Sequence, residues 1–283
     1  MKRNLKNKAT DALLGFIVGD IYGVPYEFIP PERIKRPIQL TSGGSHNQPL
    51  GSWSDDTSLV LATIDSINEQ NGINPLDIKK KFCQWLNNAK YTSDNVVFDI
   101  GNTTLQALRD NRPGTDINSN GNGSLMRMLP IALYTYRMDS FLLHSVIMKL
   151  SSITHDHTIS ISTCFEYVDY FHLLMSGLGK WDALIRLDSC LFQKINQLKE
   201  SDLDTQGFVK TTLEAALWCF LNTNNYKDSI IKAISLGYDT DTVAAITGSL
   251  SGFYYGDVCD IDKILNGQYA KKIIKKFVDS LHI

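Results

Sequence analysis

Wherever a period can be read in this chain, it is helical. Residues 58–67 (SLVLATIDSI) set Val60, Ile64 and Ile67 on one stripe with Leu59 and Leu61 beside it, which predicts a helix sunk in a core. Residues 76–86 repeat the spacing with Ile78, Phe82 and Trp85, and residues 213–221 and 230–236 do so again. In residues 242–255 (TVAAITGSLSGFYY), Ala244, Gly248 and Gly252 fall four apart and bare one face of backbone. That face invites a second helix at close range, because interior glycines cost a helix roughly 1 kcal/mol each and need a packing reason. Alternating apolar and polar runs bounded by turns are scarce, so the expected class is all-α, a single compact orthogonal helical bundle spanning residues 1–283.

Two stretches break the periodicity. Residues 25–53 carry five prolines and an SGGS turn, too long for an ordinary connection and therefore functional or mobile, and residues 109–123 are rich in Gly, Asn and Pro. Neither reads as an interdomain linker.

Composition changes this picture little. The 28 basic and 30 acidic residues among 283 give a net charge of −2, which argues against a nucleic-acid partner. Five cysteines without a CxxC pair point to a reducing compartment, and the basic start followed by a short apolar stretch lacks a cleavage site, so a cytoplasmic protein is expected. No run approaches the ~20 apolar residues of a membrane span. No heptads are present, and a monomer is expected.

Position of charge is more informative than its sum. Ser54-Asp55-Asp56-Thr57 and Asp239-Thr240-Asp241-Thr242 each sit at the mouth of an apolar helix. One Asp, Ser or Thr there is an ordinary N-cap, but a cap needs one side chain. Four carboxylates at two helix entrances repel unless a cation compensates, and oxygen ligands without His or Cys select Mg²⁺, Mn²⁺ or Ca²⁺. The sequence NGNGS at 120–124 precedes apolar LMRMLPIAL, where glycines at a helix start would expose N–H groups to a phosphate. Glu27 lies between aromatic residues. His155 and His157 flank Asp156, a spacing that favours hydrogen bonding to a ligand over joint metal ligation.

Taken in order, GDIYGVPYEF, SDDT, DIGNTT, NGSLMRMLPIA, Thr154-His155 and GYDTDTVAAITGSLSGFYYG resemble the ADP-ribosylglycohydrolase family, hydrolases related to the dinitrogenase-reductase-activating glycohydrolase. The resemblance implies an all-α fold with a dinuclear Mg²⁺ or Mn²⁺ cleft, an ADP-ribosylated protein or small molecule as substrate, and ADP-ribose as product. It places Ser54, Asp55, Asp56, Asp239, Asp241 and Thr242 on the metals. It makes Asp55, Asp56, Glu27 and Asp99 the catalytic carboxylates. Asn102, Gly121, Gly123, Ser124, Met126, His155 and Phe208 fall on the ligand. Tyr238 stands where many relatives have Gly, and so bears on the acceptor. The expected reaction is metal-assisted hydrolysis of the ribosyl-acceptor bond, with arginine-linked protein favoured. Two other readings remain: a non-catalytic binder on the same fold, and a phosphatase using the Asp-x-Asp spacing, which would need that motif at the end of a strand.

Overall fold

The computed structural model describes residues 3–283, and its architecture is helical throughout. Among the described residues thirteen α-helices follow one another: α1 (Leu5–Gly23), α2 (Asp55–Gln70), α3 (Pro75–Asn88), α4 (Asn102–Asp110), α5 (Leu129–Tyr134), α6 (Ser140–Ser151), α7 (Thr158–Met175), α8 (Lys180–Leu187), α9 (Ser189–Gln197), α10 (Val209–Leu221), α11 (Tyr226–Ser235), α12 (Thr240–Tyr255) and α13 (Gly267–Ser280). Among the described residues β-structure is limited to isolated bridges, such as Gly121 with Phe208. The all-α expectation is therefore borne out, and each helix read from periodicity is present, begun earlier than the apolar spacing alone indicates.

The centre of the molecule is the seam between α1 and α12, the most extensively packed helix pair. Its cause is a double row of small residues. A Cβ added to Gly15 would lie 2.4 Å from the Gly248 carbonyl oxygen, and one on Gly19 would lie 2.1 Å from that of Ala244. On the other side, a Cβ on Gly248 would come within 2.2 Å of the Gly15 oxygen. Only hydrogen side chains allow this approach. The face expected on α12 thus finds its counterpart at Gly15, Gly19 and Gly23 of α1, a row that periodicity did not expose.

This seam matters because it sets two helix ends side by side. Gly23 closes α1 against the start of α12, where Thr240 Oγ1 donates to the Gly23 carbonyl at 2.8 Å. α2 enters the same place: Asp20 of α1 accepts from Ser54 N at 3.0 Å, from Thr57 N at 3.1 Å and from Thr57 Oγ1 at 2.6 Å. Asp20 therefore caps α2 from another helix. The loop expected to be functional or mobile, residues 25–53, folds on itself, with Ser45 Oγ donating to the Glu27 carbonyl at 2.6 Å, and is tied to the segment before α12 by Phe28 N donating to the Tyr238 carbonyl at 2.7 Å.

Candidate active site

The first turns of α2 and α12 carry their acids inward. Ser54 is the N-cap of α2, accepting from Asp56 N at 3.2 Å, so one member of the first cluster does the capping. Asp55 and Asp56 lie within the helix, buried at 5% and 0% exposure. At α12 the residue before the first turn, Asp239, makes no capping bond with its side chain. Instead its Oδ2 accepts from Asn122 Nδ2 at 2.5 Å. Asp241 is wholly buried, and its Oδ1 accepts from Thr242 N at 2.9 Å, while Thr242 Oγ1 donates to Asp56 Oδ1 at 3.4 Å. Oδ2 of Asp56 and Oδ2 of Asp241 are buried with no hydrogen-bond partner.

Burial of this many acids has an electrostatic cost that shows in their acidities. Asp55, Asp56 and Asp241 are each held well above the usual carboxylate range, chiefly because burial removes water and further because neighbouring carboxylates repel. Asp99 is raised for the same reasons. Burial, with repulsion from Asp241 and Asp239, pushes Glu27 up to about 11, and Asp20 rises to about 6 because its burial is partly offset by the bonds from Thr57 and Ser54. Orphaned carboxylate oxygens among mutually repelling acids suit a hard divalent cation.

These acids form one wall of a cavity of about 430 Å³, a volume proper to a small-molecule site. Glu27, Asp55, Asp99, Asp239 and Thr242 make up its acidic lining, and Asn102, Thr104, Gly121, Gly123, Met126 and His155 its neutral lining. Asp56 and Asp241 lie beneath the acidic wall and Ser54 caps behind it. No Lys or Arg lines the cavity among the described residues. The neutral lining presents backbone and uncharged groups instead. α4 opens on the cavity at Asn102 and has no side-chain cap, leaving its first N–H groups free for a ligand.

The NGNGS turn differs from the expectation. Residues Asn122–Ser124 form one 3-10 turn and the α-helix begins only at Leu129, because Pro130 favours the first turn of a new helix. Gly121 and Gly123 face the cavity, but Ser124 is buried behind them, its Oγ 3.4 Å from Cys164 Sγ. Phe208 stands outside the lining, 36% exposed, just before α10. His157 caps α7 through Nδ1, which accepts from Ile159 N, whereas His155 is buried and reaches the cavity.

Sequence reasoning missed Phe28, Thr103, Thr104 and Asn122 of the lining, and also His46 beside it. The Nε2 of His46 lies 2.6 Å from Glu27 Oε2 and 3.6 Å from Asp99 Oδ1, and the three side chains could share one metal ion. It sits in an aperiodic loop, and only the density of turn residues there gave any signal.

Three residues at the rim hold a backbone conformation that L-residues seldom adopt: Phe28 at φ 61°, Asp99 at φ 55° and Tyr238 at φ 58°. Phe28 N donates to the Tyr238 carbonyl at 2.7 Å and Tyr238 N to the Ile29 carbonyl at 3.0 Å. This short ladder presents two aromatic rings at the mouth, 61% and 38% exposed. The positive φ also explains why Gly would fit at 238.

A family model described as ADP-ribosylglycohydrolase matches residues 1–282. The ADP-ribosylarginine hydrolase Tri1 of Pseudomonas putida (strain GB-1) is 30% identical over 293 residues, covering 96% of this chain and 78% of that protein. The ADP-ribosyl-(dinitrogen reductase) glycohydrolase of Rhodospirillum rubrum is 27% identical over 304 residues, covering 98% and 96%. A solved structure titled ADP-ribosylglycohydrolase-related protein complex superposes with a TM-score of 0.82 at 24% identity, covering 97% of this chain and 98% of that one, a likeness of fold. The phosphatase reading fails on the structure: the Asp-x-Asp motif opens helix α12, with no sheet beside it among the described residues. No helix among the described residues is long and apolar enough to cross a membrane.

Proposed function

This chain belongs to the ADP-ribosylglycohydrolase family, and we propose that it releases ADP-ribose from a modified arginine side chain of a protein, with two divalent cations, Mg²⁺ or Mn²⁺, at its acidic wall. As a member of that family it is an enzyme acting on glycosidic bonds. The observation that carries the finer reading is one cavity lined by both acids and neutral groups, with two orphaned carboxylate oxygens, of Asp56 and Asp241, buried behind its acids.

Asp55, Asp56, Asp239, Asp241 and Thr242 would hold the cations, with Ser54 supplying the cap that fixes the first two acids. Bound there, divalent cations neutralise the acids, orient a ribose diol and make water a better nucleophile. The remaining roles belong to the chain's own groups. Asn122 pins Asp239 through Nδ2. His46 engages Oε2 of Glu27; once cations offset the repulsion from Asp239 and Asp241, Glu27 would ionise, and its Oε1 would then take a proton from attacking water. Asp99 is the second carboxylate in reach of the scissile sugar. The uncapped start of α4, with Gly121, Gly123, Met126 and His155, receives the diphosphate and the sugar attached to it. Phe28 and Tyr238 flank the mouth, where a planar guanidinium can stack on an aromatic face; this feature favours arginine as acceptor. Phe208, just outside the cavity lining, would flank the adenosine end.

The test is release of ADP-ribose from arginine-linked, serine-linked and nucleic-acid-linked substrates, assayed side by side with Mg²⁺ or Mn²⁺. Arginine-linked substrate should be turned over, and Asp55→Ala or Asp241→Ala should abolish it. Full activity in either variant would sink the metal assignment. Calorimetric binding of ADP-ribose without release from any substrate would favour the binder instead.

A further inference from the structure

Behind the neutral lining lies a cation that the proposed reaction does not use. Arg127 is 2% exposed, and no carboxylate pairs with it among the described residues. Its Nε donates to the Gly123 carbonyl at 3.1 Å, Nη1 to the Leu150 carbonyl at 3.0 Å and Nη2 to Thr154 Oγ1 at 2.8 Å, while the guanidinium lies 4.9 Å over the Phe82 ring. A buried cation without a counter-ion is costly, so its retention calls for a reason.

The hydrogen-bond logic supplies one. A guanidinium can only donate, so Thr154 Oγ1 accepts from Arg127. The same oxygen is 2.7 Å from His155 Nδ1, and that nitrogen is the acceptor within reach of the threonine hydroxyl. A hydroxyl oxygen has two lone pairs, but an Nδ1–H donating to the second would leave the buried threonine proton with no acceptor; Thr154 donating to Nδ1 pairs every group, and the single ring proton then sits on Nε2. Nε2 is on the cavity side: a Cβ on Gly121 would lie 3.7 Å from it. Burial and the charge of Arg127 both oppose a second proton and lower His155 to about 3.

We infer that Arg127 and Thr154 are positioning residues that hold His155 as its Nε2–H tautomer, aiming one neutral donor at an anionic oxygen of the ligand beside Gly121 and Gly123. The identity of that ligand as ADP-ribose rests on the function proposed above; the relay itself does not. One guanidinium ties the Gly123 carbonyl and the imidazole together, so the turn and the ring keep a fixed spacing.

Long-range proton-nitrogen correlation spectra of histidine-labelled wild-type protein, with His155 assigned by a His155→Gln variant, read the tautomer directly. Nδ1 should show the shift of an unprotonated nitrogen and Nε2 that of a protonated one at neutral pH. Thr154→Ser should keep this pattern and bind ADP-ribose within about twofold of wild type. Thr154→Val should mix the tautomers and weaken calorimetric binding about tenfold, the loss of one hydrogen bond to a charged group. An Nδ1–H tautomer or an imidazolium in the wild type overturns the inference, and so does a Thr154→Val variant with unchanged tautomer and affinity. The wild-type spectrum decides the matter even if that variant does not fold. Absence of ADP-ribose binding by wild type would instead refute the assigned ligand, leaving the spectrum to judge the relay.

Discussion

Removing divalent cations and raising the pH should destabilise this protein, the reverse of what folded carboxylates ordinarily do. Asp20 shows the size of the effect. Its acidity is pushed up to about 6, mainly by burial, whereas an unfolded aspartate titrates near 3.9. Between those values the folded state binds the extra proton. The contribution is fully present below about pH 4 and is lost as pH rises through about 6. Two pH units at about 1.4 kcal/mol each give about 3 kcal/mol from this group alone. For 283 residues the unfolding entropy is about 0.6 kcal/mol per kelvin, so the melting temperature should fall by about 5 °C. Asp55, Asp56, Asp99 and Asp241 are raised as well and extend the decline to higher pH. Mg²⁺ or Mn²⁺ at a hundredfold excess over its dissociation constant should return about 2.7 kcal/mol at neutral pH. Scanning fluorimetry across pH, with chelator and with each cation, measures both effects. A melting temperature that rises from about pH 5 to pH 8 in chelator would refute the electrostatic reasoning, and indifference to both cations would refute the metal assignment.

Other substitutions test other links. Gly19→Ala places a methyl group 2.1 Å from the Ala244 oxygen, so the α1–α12 seam must open at a cost of about 1–3 kcal/mol in a denaturant titration; a silent change would mean that the seam is looser than its geometry. Tyr238→Gly relieves a left-handed backbone and should hold or raise stability by about 1 kcal/mol, while raising KM for arginine-linked substrate with kcat little changed. An unaltered KM would remove the aromatic rim from acceptor recognition. His46→Ala should leave the fold intact and lower kcat about tenfold, since it strips the bond that orients Glu27; wild-type turnover would show that Glu27 is held by other groups.

The helices were legible in the sequence because each buries a stripe at helical spacing, and the two acidic entrances were legible because carboxylates there exceed what capping needs. What stayed hidden depends on contacts across the fold. Asp20 looked like the polar end of an apolar stretch, yet it caps α2, a helix that begins 35 residues later. His46 lies in a loop without period, so nothing local tied it to Glu27. The helix expected directly after the NGNGS turn gave way to a 3-10 turn, since Pro130 sets a later start. Residue identity also could not divide the acids into those on the cavity surface and those beneath it: Asp55 and Asp56 are adjacent in sequence, and the helical turn alone decides that one lines the cleft while the other is buried behind it.

The glycine seam has a consequence for how the protein is made. Its partners, Gly23 and Thr240, are 217 residues apart, and α1 is buried along almost its whole length. During synthesis α1 emerges before α12 and lacks its main packing partner until α12 leaves the ribosome, some tens of seconds later at ordinary elongation rates of about 5–20 residues per second. For that interval the glycine face of α1 is open to other chains, so folding should draw on chaperones. The same delay means that no chain halted before α12 holds the complete set of acids, and the site is assembled only when Asp239 and Asp241 arrive beside the end of the first helix.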